Sequence, residues 1–208
     1  MPLPVNGRPL KALNQWYNQQ RAHYQSLLTE GQHTSHRLDL LTDKRQRQVE
    51  SYLQVASRRI IDQLVAHRIG ILVIGRNQGW KQRVNLGART NQSFVFLPHA
   101  RFIQMLTYKA ALVGIQVIVT EESYTSKASF LDADPLPVYD PTQPALGFSG
   151  KRVKRGLYRA SDGRQLNADV NGSYNVMRKV VPNAFGKGRV GVVVHPVRLC
   201  LANRRLAS

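Results

Sequence analysis

The stretch PHARFIQMLTYKAALVGIQVIVTEES, residues 98–123, decides the fold. From Pro98 to Val113, the apolar residues Phe102, Ile103, Leu106, Ala110 and Val113 recur at helical spacing. Pro98 suits the first turn of a helix, and Gly114 supplies its stop. IQVIV (115–119) follows as a short apolar run, the pattern of a buried strand. Upstream, ILVIG (71–75) is a second such run, ended by glycine. Strand, helix and strand in this order predict a βαβ unit: two central parallel strands of an α/β sheet, with helix 98–113 packed on it.

Working towards the N-terminus, residues 36–66 carry a long amphipathic pattern that includes Leu38, Leu41, Val49, Leu53, Ile60, Ile61 and Val65. Its other face bears Lys44, Arg45, Arg47, Arg58 and Arg59. Such a face is either a solvated surface or a phosphate-contacting ridge, and both readings stand. Arg8 to Leu28 reads as a further helix. Between ILVIG and the deciding stretch lies RNQGWKQRVNLGART (76–90), where Trp80 sits among Arg76, Lys81, Arg83 and Arg89. Aromatic and basic residues interleaved in this way suit single-stranded nucleic acid. Packing of Trp80 on a sheet edge is the favoured alternative, because a tryptophan has a large apolar area to bury.

Towards the C-terminus, residues 127–165 are punctuated by Pro135, Pro137, Pro141, Pro144, Gly147, Gly150, Gly156 and Gly163. They read as a long loop insertion without its own core. Within it, KRVKRGLYR (151–159) offers Lys151, Arg152, Lys154 and Arg155 as phosphate contacts. A helical pattern returns at 169–180. The segment 182–208 reads as a basic, loose tail, except that VGVVV (190–194) has strand character.

Charge limits the choice of partner. Of 208 residues, 30 are Lys or Arg and 12 are Asp or Glu, a formal net charge of +18. So lopsided a balance points to a polyanion, with nucleic acid ahead of an anionic membrane. No apolar run approaches the length of a membrane span, and the N-terminus lacks a secretory h-region. A single cysteine, Cys200, excludes an intramolecular disulfide and a multi-cysteine zinc site. A reducing, cytoplasmic compartment is expected.

Acidic residues are few, so their places matter. Glu121 and Glu122 are adjacent at the end of the second predicted strand, in TEESYTSKASF. Asp169 opens a predicted helix in NADVNGSYN. Strand-end and helix-start carboxylates converge at one edge of an α/β sheet. Held together they repel unless a cation intervenes, and Mg²⁺ is the usual ion of phosphodiester chemistry. Asp169 can equally be an ordinary helix N-cap.

NGRPLK (6–11), GWKQ (79–82), YTSK (124–127) and ADVNGSYN (168–175), in this order, resemble the transposon-encoded TnpB (OrfB) family, whose members are similar to type V CRISPR effectors. The resemblance extends to about Val181. It implies a RuvC-like (RNase H-like) α/β fold and the activity of an RNA-guided, Mg²⁺-dependent DNA endonuclease, commonly described as a transposase. DNA and a guide RNA are the implied partners. Such proteins use three carboxylates. The third falls on Asp169. The second normally ends the strand that here is ILVIG, where Gly75 has no side chain. Glu121 and Glu122 are the candidates to replace it, and the choice between them stays open. The first, an Asp in a strand upstream of NGRPLK, has no counterpart. A truncated RuvC-like domain over 1–181 with impaired catalysis is therefore expected. The family's four-cysteine zinc ribbon is also altered: Ser129 and Asp132 stand at its first pair, Arg159 and Asp162 at its second. No zinc is expected, and the loop is either held by other contacts or mobile. A non-catalytic nucleic-acid-binding protein is the rival reading, and a ribosomal-type RNA-binding protein a third.

Overall fold

The computed structural model describes residues 6–76, 98–142, 144, 146–183 and 185. Trp80, Lys81, Arg83 and the VGVVV run lie outside the described residues. The chain divides into two compact units, one helical and one α/β.

The helical unit contains α1 (Arg8–Ser26), α2 (His36–Ala66) and α3 (His99–Ala111). Ser35 caps α2, its hydroxyl accepting from Leu38 N–H, which satisfies one of the four orphan donors of a helix start. α2 packs against both other helices. Their shared core is Leu10, Leu13, Val49, Leu53 and Met105, with Tyr52 and Phe102 against it. Each such side chain contributes roughly 1.5–3 kcal/mol on burial. Polar ties fix the register. Tyr17 hydroxyl meets Thr42 Oγ1 at 3.0 Å, and Lys109 Nζ donates to Gln54 carbonyl (2.9 Å) and Ser57 Oγ (2.7 Å). The helix expected to pack on the sheet is α3. It instead belongs to the helical unit and packs on α2, because Met105, Leu106 and Ala110 are its buried residues and Val113 is exposed.

The α/β unit contains β1 (Ile71–Gly75), β2 (Gln116–Thr120), β3 (Lys151–Lys154), β4 (Leu157–Arg159), β5 (Gln165–Asn167) and α4 (Ala168–Val180). β1 and β2 pair in parallel, with Ile71 opposite Gln116 and Gly75 opposite Thr120. The parallel pairing matches the βαβ expectation. The expectation of buried strands does not hold, since no residue of either strand is fully buried. α4 packs against the pair.

The insertion differs most from its sequence reading. β3, β4 and β5 form an antiparallel sheet in the order 3-4-5, and the segment builds its own core from Phe130, Leu131, Tyr158, Ala160, Leu166 and Ala168. Tyr158 and Leu166 are opposite each other on β4 and β5, and both are fully buried. Phe130 stacks on Tyr174 with ring centroids 4.6 Å apart. Gly150 is required where it stands: a Cβ there would lie 2.6 Å from the Tyr158 ring and 2.7 Å from Arg159 carbonyl.

Candidate carboxylate site and basic surface

β2 stops at Thr120, so the alternation of side chains along a strand does not govern Glu121 and Glu122. Thr125 N–H and Oγ1 both bond to Glu122 carbonyl, turning the chain. The two glutamates then separate. Glu121 Oε1 accepts from Lys179 Nζ, and its Oε2 accepts from Ser123 N–H at 2.7 Å. Burial opposes ionisation of Glu121, but Lys179 and the Ser123 hydrogen bonds outweigh it and lower its pKa. Glu122 folds back over the end of β1. A Cβ on Gly75 would lie 2.8 Å from Glu122 Oε2 and 3.0 Å from Val176 Cγ2. Its pKa is raised, first by burial and then by the charge of Glu121. The carboxylate of Glu122 thus occupies the space that a side chain at position 75 would fill.

Asp169 lies in the first turn of α4 and is exposed. It is not the cap. Asn167 caps the helix, its Oδ1 accepting from Asp169 N–H (2.9 Å) and Val170 N–H (3.2 Å). The capping alternative for Asp169 therefore falls away. Asp169 and Val176 are seven residues apart and share one stripe of the helix, about 10 Å along its axis. Among the described residues, no group of three or more His, Cys, Asp or Glu side chains is placed to hold a metal ion.

Two asparagines of the ADVNGSYN motif, not singled out from sequence, join it to the YTSK loop. Asn171 is fully buried, accepts from Phe130 N–H (2.9 Å) and donates to Ala128 carbonyl (2.8 Å). Asn175, one turn on, donates to Thr125 (3.0 Å) and Ala128 (2.8 Å) carbonyls. Their i, i+4 spacing was the available signal. Lys179 gave none beyond being a cation in the last turn of a helix.

Ser129 and Asp132, expected at the first pair of a zinc ribbon, lie in carboxylate–serine clasps. Asp134, buried, accepts from Ser129 N–H (2.7 Å), Ser149 N–H (3.1 Å) and Ser149 Oγ (2.6 Å). Asp132 accepts from Ser161 N–H (3.0 Å) and Oγ (2.6 Å), while its own N–H donates to Ser129 Oγ. Asp162 pairs locally with Arg164, and Arg159 stands exposed on β4.

The candidate phosphate contacts fall into two groups. Lys151, Arg152, Lys154 and Arg155 are all exposed on β3 and its turn, as are Arg47 on α2 and Arg76 after β1. Arg45 has a different place. Its Nε and Nη2 both donate to Asn14 Oδ1, at 2.9 and 2.8 Å, and its guanidinium lies over the Tyr17 ring. Burial lowers its pKa. Arg45 joins α1 to α2, so Arg47 is the outward-facing member of the pair. No described helix is long and apolar enough to cross a membrane.

A Cas12f1-like TNB domain model matches residues 99–176, which include Glu121, Glu122 and Asp169. A probable transposase model, OrfB_IS605, matches residues 4–81, which include Gly75. Among solved structures, the chain is similar to one from the cryo-EM structure of the Cas12f1–sgRNA–target DNA complex, at 15% identity and a TM-score of 0.49. That match covers 77% of this chain and 40% of the other. No curated protein matches. The two family models match in sequence order, with NGRPLK inside the first and YTSK and ADVNGSYN inside the second, and together they support a TnpB-like, transposon-encoded protein.

Proposed function

We propose that this chain is a nucleic-acid-binding, transposon-associated protein related to RNA-guided DNA endonucleases, with a RuvC-like core whose metal ligands are Glu122 and Asp169. The observation that carries this reading is the seat of Glu122 over Gly75. It returns a carboxylate to the strand end where the family's second acidic residue belongs. Glu121 contributes less, being engaged by Lys179 and Ser123.

The donor chemistry fits Mg²⁺, which takes oxygen ligands, keeps several waters and is commonly held by one or two carboxylates plus substrate phosphates. Glu122, half-buried with a raised pKa, is a carboxylate that gains from a nearby cation. Bound there, the ion would supply charge stabilisation and water activation for phosphodiester hydrolysis. The protein's part is to hold Glu122 at the end of β1 and Asp169 at the start of α4. Asn167 leaves the Asp169 carboxylate out of the cap, and Asn171 and Asn175 lock α4 to the loop that comes after Glu122. Lys151, Arg152, Lys154 and Arg155, with Arg47 and Arg76, hold phosphates by charge. DNA is the expected polyanion, and a guide RNA is compatible with the same residues.

The test is Mg²⁺-dependent DNA cleavage, with and without RNA transcribed beside the coding sequence. Glu122→Gln and Asp169→Asn should each abolish it, while Glu121→Gln should not. Retained cleavage in both of the first two variants would sink the assignment. The rival reading, a binder that does not cut, is favoured by the same basic surface. Under it, Lys154→Ala and Arg155→Ala weaken binding and reduce its salt dependence by about one counterion each, with no cleavage under any condition.

A further inference from the structure

Lys179, near the end of α4, has no part in the proposed chemistry, yet its side chain is only 6% exposed. Burying an ammonium is costly unless it is paired and hydrogen-bonded. Its Nζ donates to Glu121 Oε1 and to Pro137 carbonyl at 3.3 Å. Ser123 N–H takes the other oxygen of Glu121. Both oxygens of that carboxylate are therefore directed towards α4 and the turn.

Glu121 and Glu122 are consecutive and like-charged, so the position of one constrains the other. Lys179 is three residues beyond Val176 and ten beyond Asp169, close to the same helical stripe. One helix thus presents Asp169, abuts Gly75 through Val176 and grips Glu121 through Lys179.

We propose that Lys179 is a positioning residue: by clamping Glu121 it assigns the metal to Glu122. This rests on Glu122 and Asp169 being metal ligands. Without the clamp, Glu121 can swing to the strand end and compete for the ion, and the two glutamates become interchangeable. A plain structural ion pair would stabilise the unit without deciding which glutamate binds metal.

The experiment is calorimetric titration of the full chain with Mn²⁺, with folding checked by circular dichroism. In the wild-type background, Glu122→Gln should weaken Mn²⁺ binding by more than about tenfold, and Glu121→Gln should change it by less than about twofold. In a Lys179→Met background the order should collapse: Glu122→Gln costs less, and Glu121→Gln now costs as much. Lys179→Arg should keep the wild-type order. If Glu121→Gln alone weakens binding tenfold in the wild-type background, the proposal is overturned even should Lys179→Met fail to fold. An unchanged order in Lys179→Met also overturns it. If Glu121→Gln, Glu122→Gln and Asp169→Asn all leave Mn²⁺ binding intact, the metal-site reading itself fails, and this proposal with it.

Discussion

Among the described residues of the helical unit the interior includes Leu10, Leu13, Val49, Leu53 and Met105, and the buried polar residues are Asn14 and Ser57. In the α/β unit Phe130, Tyr158 and Leu166 share the interior with Thr125, Ser129, Asp134, Asn171 and Asn175. The first unit depends mainly on apolar area, which tolerates small shifts of position. The second depends on donors and acceptors that must meet within tenths of an ångström, and an unmet one costs more than a made one contributes. In this loop the closure is made of carboxylates and serines.

That contrast can be broken by substitution. The largest effect is expected from Asn171→Leu, which takes the Asn171 bond from Phe130 N–H and one of two side-chain bonds from Ala128 carbonyl, where Asn175 still donates. At about 3 kcal/mol for the buried amide and about 1 kcal/mol for the carbonyl, the loss should be about 4 kcal/mol. Denaturant unfolding would measure it, and a loss below about 1 kcal/mol would show that polar closure is not what holds the unit. Leu53→Ala should cost about 3 kcal/mol, with amide exchange rising first in α1 and α2.

Acid sharpens the comparison. Burial disfavours the charged form of Asp132, but hydrogen bonds from Ser129 and Ser161 outweigh it, and its folded pKa is lowered. Its contribution is present above the unfolded carboxylate pKa and is lost as pH falls through the lower folded value. Asp132→Asn should remove about 1 kcal/mol at neutral pH and flatten that acid limb in a pH series of melting curves. The smallest effect is expected from a chelator: EDTA should leave the melting temperature unchanged. A drop on chelation, restored by zinc, would mean that the clasps are not sufficient.

The same contrast explains what could be read from sequence. Helices α1 to α3 and the β1–β2 pair follow from apolar spacing, and their bounds are close to those expected. The β3–β5 sheet does not, because its strands are only three or four residues long and basic side chains hide the alternation. The buried pair Tyr158 and Leu166 becomes a pair only through register. At the site, Glu121, Glu122 and Asp169 are visible as scarce carboxylates. Which glutamate returns to β1 is not visible, since it depends on a turn after Thr120 and on a lysine 58 residues downstream of Glu121.

Gly75 has a consequence for how this sequence can change. With Glu122 seated, even an alanine at 75 would place a carbon 2.8 Å from the carboxylate oxygen, 3.0 Å from Val176 and 3.2 Å from Glu122 Cβ. A side chain at 75 therefore displaces the flexible end of Glu122 and crowds Val176. A side chain at 75 and the present seat of Glu122 are thus mutually exclusive. On the proposed reading of Glu122 as a metal ligand, sequences that carry it should keep glycine at 75.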